Sequence, residues 1–291
     1  MAVLHIINSA FLVIMLWATS LGLGMQFTLQ QILAPFKCIG LMSIAVVLNV
    51  VVVPLIGWGL TRAFSINQGY AIGIMLVAFA SAAPASLKLA QIERGNVPYA
   101  VSLVVLLSLL NIVAIPFWSA LLMPSGVNIN PLQVASTLLI NVLLPLAIGL
   151  FIHARYEEQA REWAPPLNKL STLALLIVIV SSIVVDFSTL LTLIGSFAIL
   201  AGILLVLIAF VLGYFLGGSD QASRRVTGTV TGSRAVGPAL LIATQSFPTD
   251  PQVTAGVIAV GLIGSLLPAI VAMEWGKRSS MEQKVVVPAS G

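Results

Sequence analysis

The sequence predicts an all-α integral membrane protein of about nine transmembrane helices, two of them broken and arranged as an inverted repeat. Three observations carry this. Of 291 residues, 59% are hydrophobic and only 8% are charged, whereas soluble domains carry about 25% charged residues. The apolar residues fall into runs long enough to cross a bilayer core, which takes about 20 residues. The runs are continuous rather than alternating in steps of two, which argues against a β-barrel. This composition excludes a soluble enzyme, a nucleic-acid binder and a disordered regulator. The net charge of +4 is spread between apolar runs and forms no basic patch. One cysteine, Cys38, excludes a disulfide framework, and His5 and His153 are too few and too far apart for a zinc site.

The length rule places spans at 4–24, 39–63, 70–92, 97–122, 131–153, 167–186, 190–217, 222–247 and 252–274. The connections carry Pro, Gly, Asn and charge, as turns do. The one long connection, His153 to Pro166, is charged and suits an amphipathic surface helix stopped by Pro165-Pro166. The first span lacks a basic n-region and a small-residue cleavage site, so it reads as a span rather than a leader. Placing the N-terminus outside puts Lys37, Arg94, Arg155, Arg161, Lys169, Arg224, Arg225, Lys277, Arg278 and Lys284 inside. Only Arg62, with Asp186 and Asp250, then lies outside. That bias requires an odd number of spans and a cytoplasmic C-terminus, by default at a bacterial inner membrane.

Two spans are broken. The third contains Ala82-Ala83-Pro84-Ala85-Ser86, and the eighth contains Gly228, Gly232, Gly237 and Pro238. Breaks of this kind free backbone groups and line midplane sites in transporters. AAPASL and VGPALL match loosely, each is followed by a polar turn, and each turn leads into a span with a late proline, Pro116 or Pro268. The third span runs inward and the eighth outward, the polarity of an inverted repeat.

Ionisable residues inside a span are functional hypotheses. Away from the span ends, only Lys88 and Arg234 fall there, one on each broken span. Lys88 follows Pro84 by four residues and lies within snorkelling reach of the turn at Glu93-Arg94. Arg234 lies nine residues beyond Arg225, about 13 Å of helix rise, and needs an acceptor: backbone carbonyls of a broken helix or a ligand anion. All nine acids read as loop, tail or span-end residues. Fixed cations without a carboxylate suit an anionic substrate. Candidate substrate contacts are therefore Arg234, Lys88, Ser86, Ser233, Asn111 and Ser108, with intrahelical bonding as the bland alternative for each hydroxyl. Thr227, Thr229 and Thr231 cannot share one face of a regular helix, so the chain either unwinds there or presents a mixture of faces.

These residues resemble the bile acid:sodium symporter family over nearly the whole chain. The carrying pieces are Leu21-Gly22-Leu23-Gly24-Met25, the proline of VVVPLIGW at Pro54, the turn Glu93-Arg94-Gly95-Asn96-Val97, and Arg224-Arg225 ahead of a Gly-rich eighth span. The resemblance implies a core domain, here 39–122 and 190–274, and a panel, here 4–24 and 131–186, within one transporter domain of a nine-helix version of the fold. It also implies two sodium sites built from an Asn in the first crossover and a Glu and a Gln in the second. The matching positions here are Leu87, Gly228 and Gly232, so those side chains are missing. A cation site would have to be rebuilt from hydroxyls such as Ser86, Thr229 and Thr231. Related arsenite carriers place a Cys after the first-crossover proline, where this chain has Ala85.

The reading is a secondary transporter of an organic anion, bile-acid-like or a small carboxylate, working by alternating access without the usual two-sodium coupling. Its partners are that anion and the bilayer; no cofactor, metal or nucleic acid is expected, and the oligomeric state is open. The alternative is a membrane sensor or receptor of the same fold that binds a ligand without moving it. An enzyme is not expected, since no Ser/His pair, paired carboxylates or metal cluster lies within the spans.

Overall fold

The computed structural model describes residues 2–28, 30, 39–124, 129–185 and 187–286. Lys37, Cys38 and Asp186 lie outside the described residues. The described chain is helical almost throughout. In order it forms α1 (Ala2–Gln26), α2 (Ile39–Val47), a π turn (Leu48–Val52), α3 (Val53–Ala63), α4 (Gln68–Phe79), α5 (Ser86–Ile92) and α6 (Val97–Leu122). There follow α7 (Pro131–Leu138), a second π turn (Leu139–Leu143), α8 (Leu144–Arg155), α9 (Glu157–Val185), α10 (Phe187–Ile194) and α11 (Ala198–Leu216). The chain ends in α12 (Gln221–Gly232), α13 (Val236–Ser246) and α14 (Pro251–Val286).

Apolar length makes the helices and polar caps start them. Asn67, Asn96, Asn130 and Asp220 each accept a backbone N–H of the following turn, at 3.2, 3.2, 3.0 and 2.8 Å. The two π turns precede Pro54 and Pro145. A proline cannot donate to the carbonyl four residues back and crowds it, and widening the turn relieves both problems. The Val50 carbonyl in the first π turn accepts instead from Trp118 Nε1 at 2.6 Å.

Among the described residues, seven helical stretches are long and apolar enough to cross a membrane. They correspond to seven of the nine expected spans, and they make this an integral membrane protein. The other two expected spans, 70–92 and 222–247, are each a pair of short helices, α4–α5 and α12–α13.

The expected stop at Pro165-Pro166 is not there: α9 runs straight through both prolines. The carbonyls that they orphan belong to Arg161 and Glu162, which are exposed, so water can satisfy them. Of the two alternatives at Thr227–Thr231, unwinding or a mixture of faces, the second holds, because α12 stays regular through Gly232. The three threonines simply face three different neighbours.

α1 packs along α8 and α9, while α4, α11, α12, α13 and α14 pack around one another on the other side. Small residues set the closest approaches. Gly24 of α1 and Gly149 of α8 lie backbone to backbone, so a methyl on Gly149 would sit 2.5 Å from the Leu21 carbonyl. Gly213 of α11 meets α12 the same way, 2.6 Å from the Thr227 carbonyl. Gly228 and Gly232 lie on the matching face of α12, against Phe210 and Tyr214. Their role is therefore helix packing, and neither forms the break assigned to them from sequence.

Candidate functional site

The two breaks cross. Ala80–Ala85 joins α4 to α5, and Ser233–Ala235 joins α12 to α13. They run antiparallel, with Ser81 bridged to Arg234. The Ala235 N–H donates to the Ala80 carbonyl at 3.0 Å, and the Ala83 N–H donates to the Ser233 carbonyl at 3.3 Å. Each break thus satisfies part of the other's freed backbone, which keeps irregular chain tolerable away from water.

The first break is held by α6. Asn111 Oδ1 accepts from the Ser81 N–H at 3.0 Å and from Ser81 Oγ at 2.7 Å, while Asn111 Nδ2 donates to the Ser81 carbonyl at 2.8 Å. The next residue, Ala82, sits at φ 54°, a left-handed conformation that costs an L-residue about 1–2 kcal/mol. The Asn111 clamp offsets that strain.

Arg234 is 1% exposed. Its guanidinium donates to the carbonyls of Val77 at 3.2 Å and Ala78, the last turn of α4. It also donates to Asn49 Oδ1 at 3.1 Å and to the Thr231 carbonyl at 3.4 Å. Asn49 stands in the π turn between α2 and α3 and donates in turn to Thr231 Oγ1 at 3.0 Å. A delocalised cation therefore fills the carbonyl-lined C-terminal end of a half-helix, where the helix dipole favours positive charge.

A cavity of about 250 Å³ lies beside the crossing. α1, α9 and the second π turn wall one side; the two breaks and α6 wall the other. Its lining is mostly apolar and includes no carboxylate among the described residues. Lys88 and Arg234 are the cations that line it. Lys88 is exposed and makes no hydrogen bond or ion pair among the described residues.

Of the six candidate substrate contacts, Arg234, Lys88, Asn111 and Ser108 line this cavity, as do Pro84 of the first break and Gly237 and Pro238, which were assigned to the second break but lie in the first turn of α13. Asn111 spends its amide on Ser81, and Ser108 Oγ donates within its own helix to the Val104 carbonyl at 2.7 Å. Ser86 and Ser233 are buried outside the lining. Ser86 Oγ donates to the Ala83 carbonyl at 2.6 Å, and Ser233 Oγ has no partner among the described residues.

The three hydroxyls of the possible cation site are committed to different elements. Ser86 turns back on its own break, Thr231 accepts from Asn49, and Thr229 Oγ1 donates to Glu93 Oε1 at 3.0 Å.

Glu93 lies in the turn after α5, as expected of the acids, but is fully buried there. Asn49, Ser81 and Glu93 were not singled out from sequence. A lone Asn in the apolar run LMSIAVVLNVVVP was the available signal for the first. The polar residues Gln26 of α1 and Asn168 of α9, which also line the cavity, were missed because both sit at helix positions that read as ordinary span ends.

A family model described as the sodium bile acid symporter family matches residues 12–216. The chain belongs to this family. Its relatives include an Arabidopsis thaliana protein named "Probable sodium/metabolite cotransporter BASS1, chloroplastic", 25% identical over 268 residues that cover 91% of this chain and 66% of that protein. An Oryza sativa subsp. japonica protein named "Probable sodium/metabolite cotransporter BASS3, chloroplastic" is 23% identical over 263 residues, 88% of this chain and 61% of that protein. The chain thus spans just under two thirds of the length of these symporter-family relatives.

Proposed function

We propose that this chain is a secondary transporter of a small organic anion, and that it works by alternating access without classical two-sodium coupling. The observation that carries the reading is the cavity at the crossing, lined by Lys88 and Arg234 and by no carboxylate. An apolar cavity with few polar groups binds the organic part of a ligand, and a fixed cation selects its charged end. At about 250 Å³ the cavity is below the usual range for drug-sized ligands, about 300–1,000 Å³. A small carboxylate suits it better than a steroid acid.

The relatives are named sodium cotransporters. In transporters of this general build, half-helix C-termini and unwound carbonyls hold the coupling cation. Here the carbonyls at the end of α4 already hold the Arg234 guanidinium, which argues for a resident charge in place of an exchanged one. In this reading α4–α5 and α12–α13 are the third and eighth of nine crossings related by an inverted repeat. α1, α7, α8 and α9 form the panel, and the remaining helices form the core. The N-terminus lies outside and the C-terminus inside, at a bacterial inner membrane by default.

Uptake into proteoliposomes tests the proposal, using short 2-oxo acids, short monocarboxylates, a sulfated compound and a steroid acid, each with and without a sodium gradient. Uptake of a small carboxylate that ignores sodium is expected. Lys88→Ala should raise its half-saturation concentration about tenfold, equivalent to about 1.4 kcal/mol of lost binding. Sodium-driven uptake would overturn the coupling part of the reading. Saturable binding without uptake or counterflow would favour the sensor alternative.

A further inference from the structure

Glu93 stands in the turn between α5 and α6 and is 0% exposed. Its Oε1 accepts from Thr229 Oγ1 at 3.0 Å, and its Oε2 is buried with no hydrogen-bond partner among the described residues. None of the charged and titratable groups packed around it hydrogen-bonds its carboxyl among the described residues, and Arg225 Nε is itself buried without a partner among them. On α12, Arg225 Nη1 donates to the Glu93 backbone carbonyl at 3.0 Å and to Ser279 Oγ at 2.9 Å, and its guanidinium lies over the Trp275 ring at 5.5 Å. Arg225 forms no ion pair with the Glu93 carboxyl among the described residues. On α14, Glu274 and Arg278 pair with each other at the surface, and Lys277 is exposed. On α6, the Tyr99 hydroxyl bonds Thr227 Oγ1 at 3.1 Å. In the turn itself, Arg94 donates to the Ser279 carbonyl at 3.3 Å.

An ionised carboxylate in such a place has an orphan oxygen and no ion pair, a costly state. A proton on Oε2 removes the charge and needs no extra room, which a hydrated metal ion would. We propose that Glu93 is a proton-binding site between the two broken helices, and that its proton is the coupling ion of the transport cycle. The carboxyl touches both moving parts. Through its own chain it continues α5, five residues beyond Lys88. Through Thr229 it holds α12, which leads directly to Ser233 and Arg234. Loss of the proton leaves a buried anion that attracts Arg225 away from Ser279 and Trp275, loosening α12 against α14. The charge on Glu93 thereby biases how the crossing sits.

The environment supports this separately. Burial pushes the carboxyl up to about 8, against the lowering pull of the Thr229 hydrogen bond and of Arg225. The neutral form therefore stabilises the fold below the ordinary glutamate range, and that contribution is lost as pH rises through about 8. The coupling role rests on the transporter reading above; the proton site does not.

Two measurements on the full reconstituted chain separate them. Infrared spectroscopy follows the protonated-carboxyl C=O band with pH, in wild type and in Glu93→Gln. Uptake of the small carboxylates is measured with an imposed pH gradient and, as exchange, between pH 6 and 9. A band that titrates near pH 8 in wild type and is missing from Glu93→Gln is expected. Also expected are pH-gradient-driven uptake in wild type, and exchange in Glu93→Gln that persists but loses its pH dependence and its response to the gradient. A band that survives in Glu93→Gln overturns the proton site. Unaltered pH-gradient driving in that variant overturns the coupling role. If the band behaves as expected but wild type moves no anion, the transporter reading and the coupling fall while the proton site stands. Should Glu93→Gln not fold, Thr229→Val removes the donor that favours the ionised form and should move the band's midpoint upward; an unmoved midpoint counts against Glu93 as its source.

Discussion

Arg234→Ala is expected to abolish transport, with uptake falling about 100-fold or more, the equivalent of about 2.7 kcal/mol on the rate-limiting step. The guanidinium is buried and holds together three elements: the end of α4, the π turn at Asn49, and α12. Removing it leaves the Val77 and Ala78 carbonyls and Asn49 Oδ1 without their donor. Each unsatisfied buried group costs about 1–3 kcal/mol, and the negative end of the α4 dipole loses its counter-charge. The proper control is Arg234→Lys. A lysine keeps the charge but offers a point donor in place of a planar fork, so it should recover part of the activity. Adding guanidinium ion, or high sodium, should restore some uptake to Arg234→Ala by occupying the vacated carbonyls. Thermal unfolding in detergent shows whether each variant is folded. Wild-type uptake in a folded Arg234→Ala would rule out the built-in cation.

The second large effect is expected at Asn111. Replacing it by the similarly sized Leu leaves the Ser81 N–H and carbonyl unpaired in a buried break. With about 1–3 kcal/mol lost per group, a destabilisation of about 2–6 kcal/mol follows, read as a lower unfolding temperature. The left-handed Ala82 should then relax and the crossing lose its register, so uptake falls even in the fraction that remains folded. Asn111→Asp keeps the acceptor for Ser81 and loses only the donor to its carbonyl, so it should lie between wild type and Asn111→Leu. Equal unfolding temperatures for wild type and Asn111→Leu would show that α6 does not pin the break.

Much of the architecture was legible from sequence because a bilayer imposes a length rule on apolar runs. Seven expected spans reappear as long apolar helices, and both breaks fall near the prolines that marked them. The second break was placed too broadly. Gly228 and Gly232 signalled a weak helix, but their small size serves the contact with α11, and α12 unwinds only after Gly232. Pro165-Pro166 signalled a stop, yet exposed carbonyls let α9 continue.

The site was half legible. Two intramembrane cations stand out in any sequence this poor in charge, so Lys88 and Arg234 were found. Their roles were not, because a role depends on the acceptor. Arg234 was a candidate for either carbonyls or an anion, and its hydrogen bonds run to carbonyls and an amide oxygen. Lys88 suited snorkelling or a substrate contact; it is exposed, lines the cavity and makes no hydrogen bond or ion pair among the described residues. Glu93 read as a turn residue, because turns are usually wet.

The sequence by itself determined a helical membrane protein with two interrupted spans, each carrying one cation, since hydropathy, proline and charge are local properties. Only the tertiary structure decided that the interruptions cross, that Asn49 and Asn111 brace them, that Arg234 caps α4, and that Glu93 is buried. Those are contacts between residues up to 185 positions apart, and no local property encodes which distant carbonyl a side chain will meet.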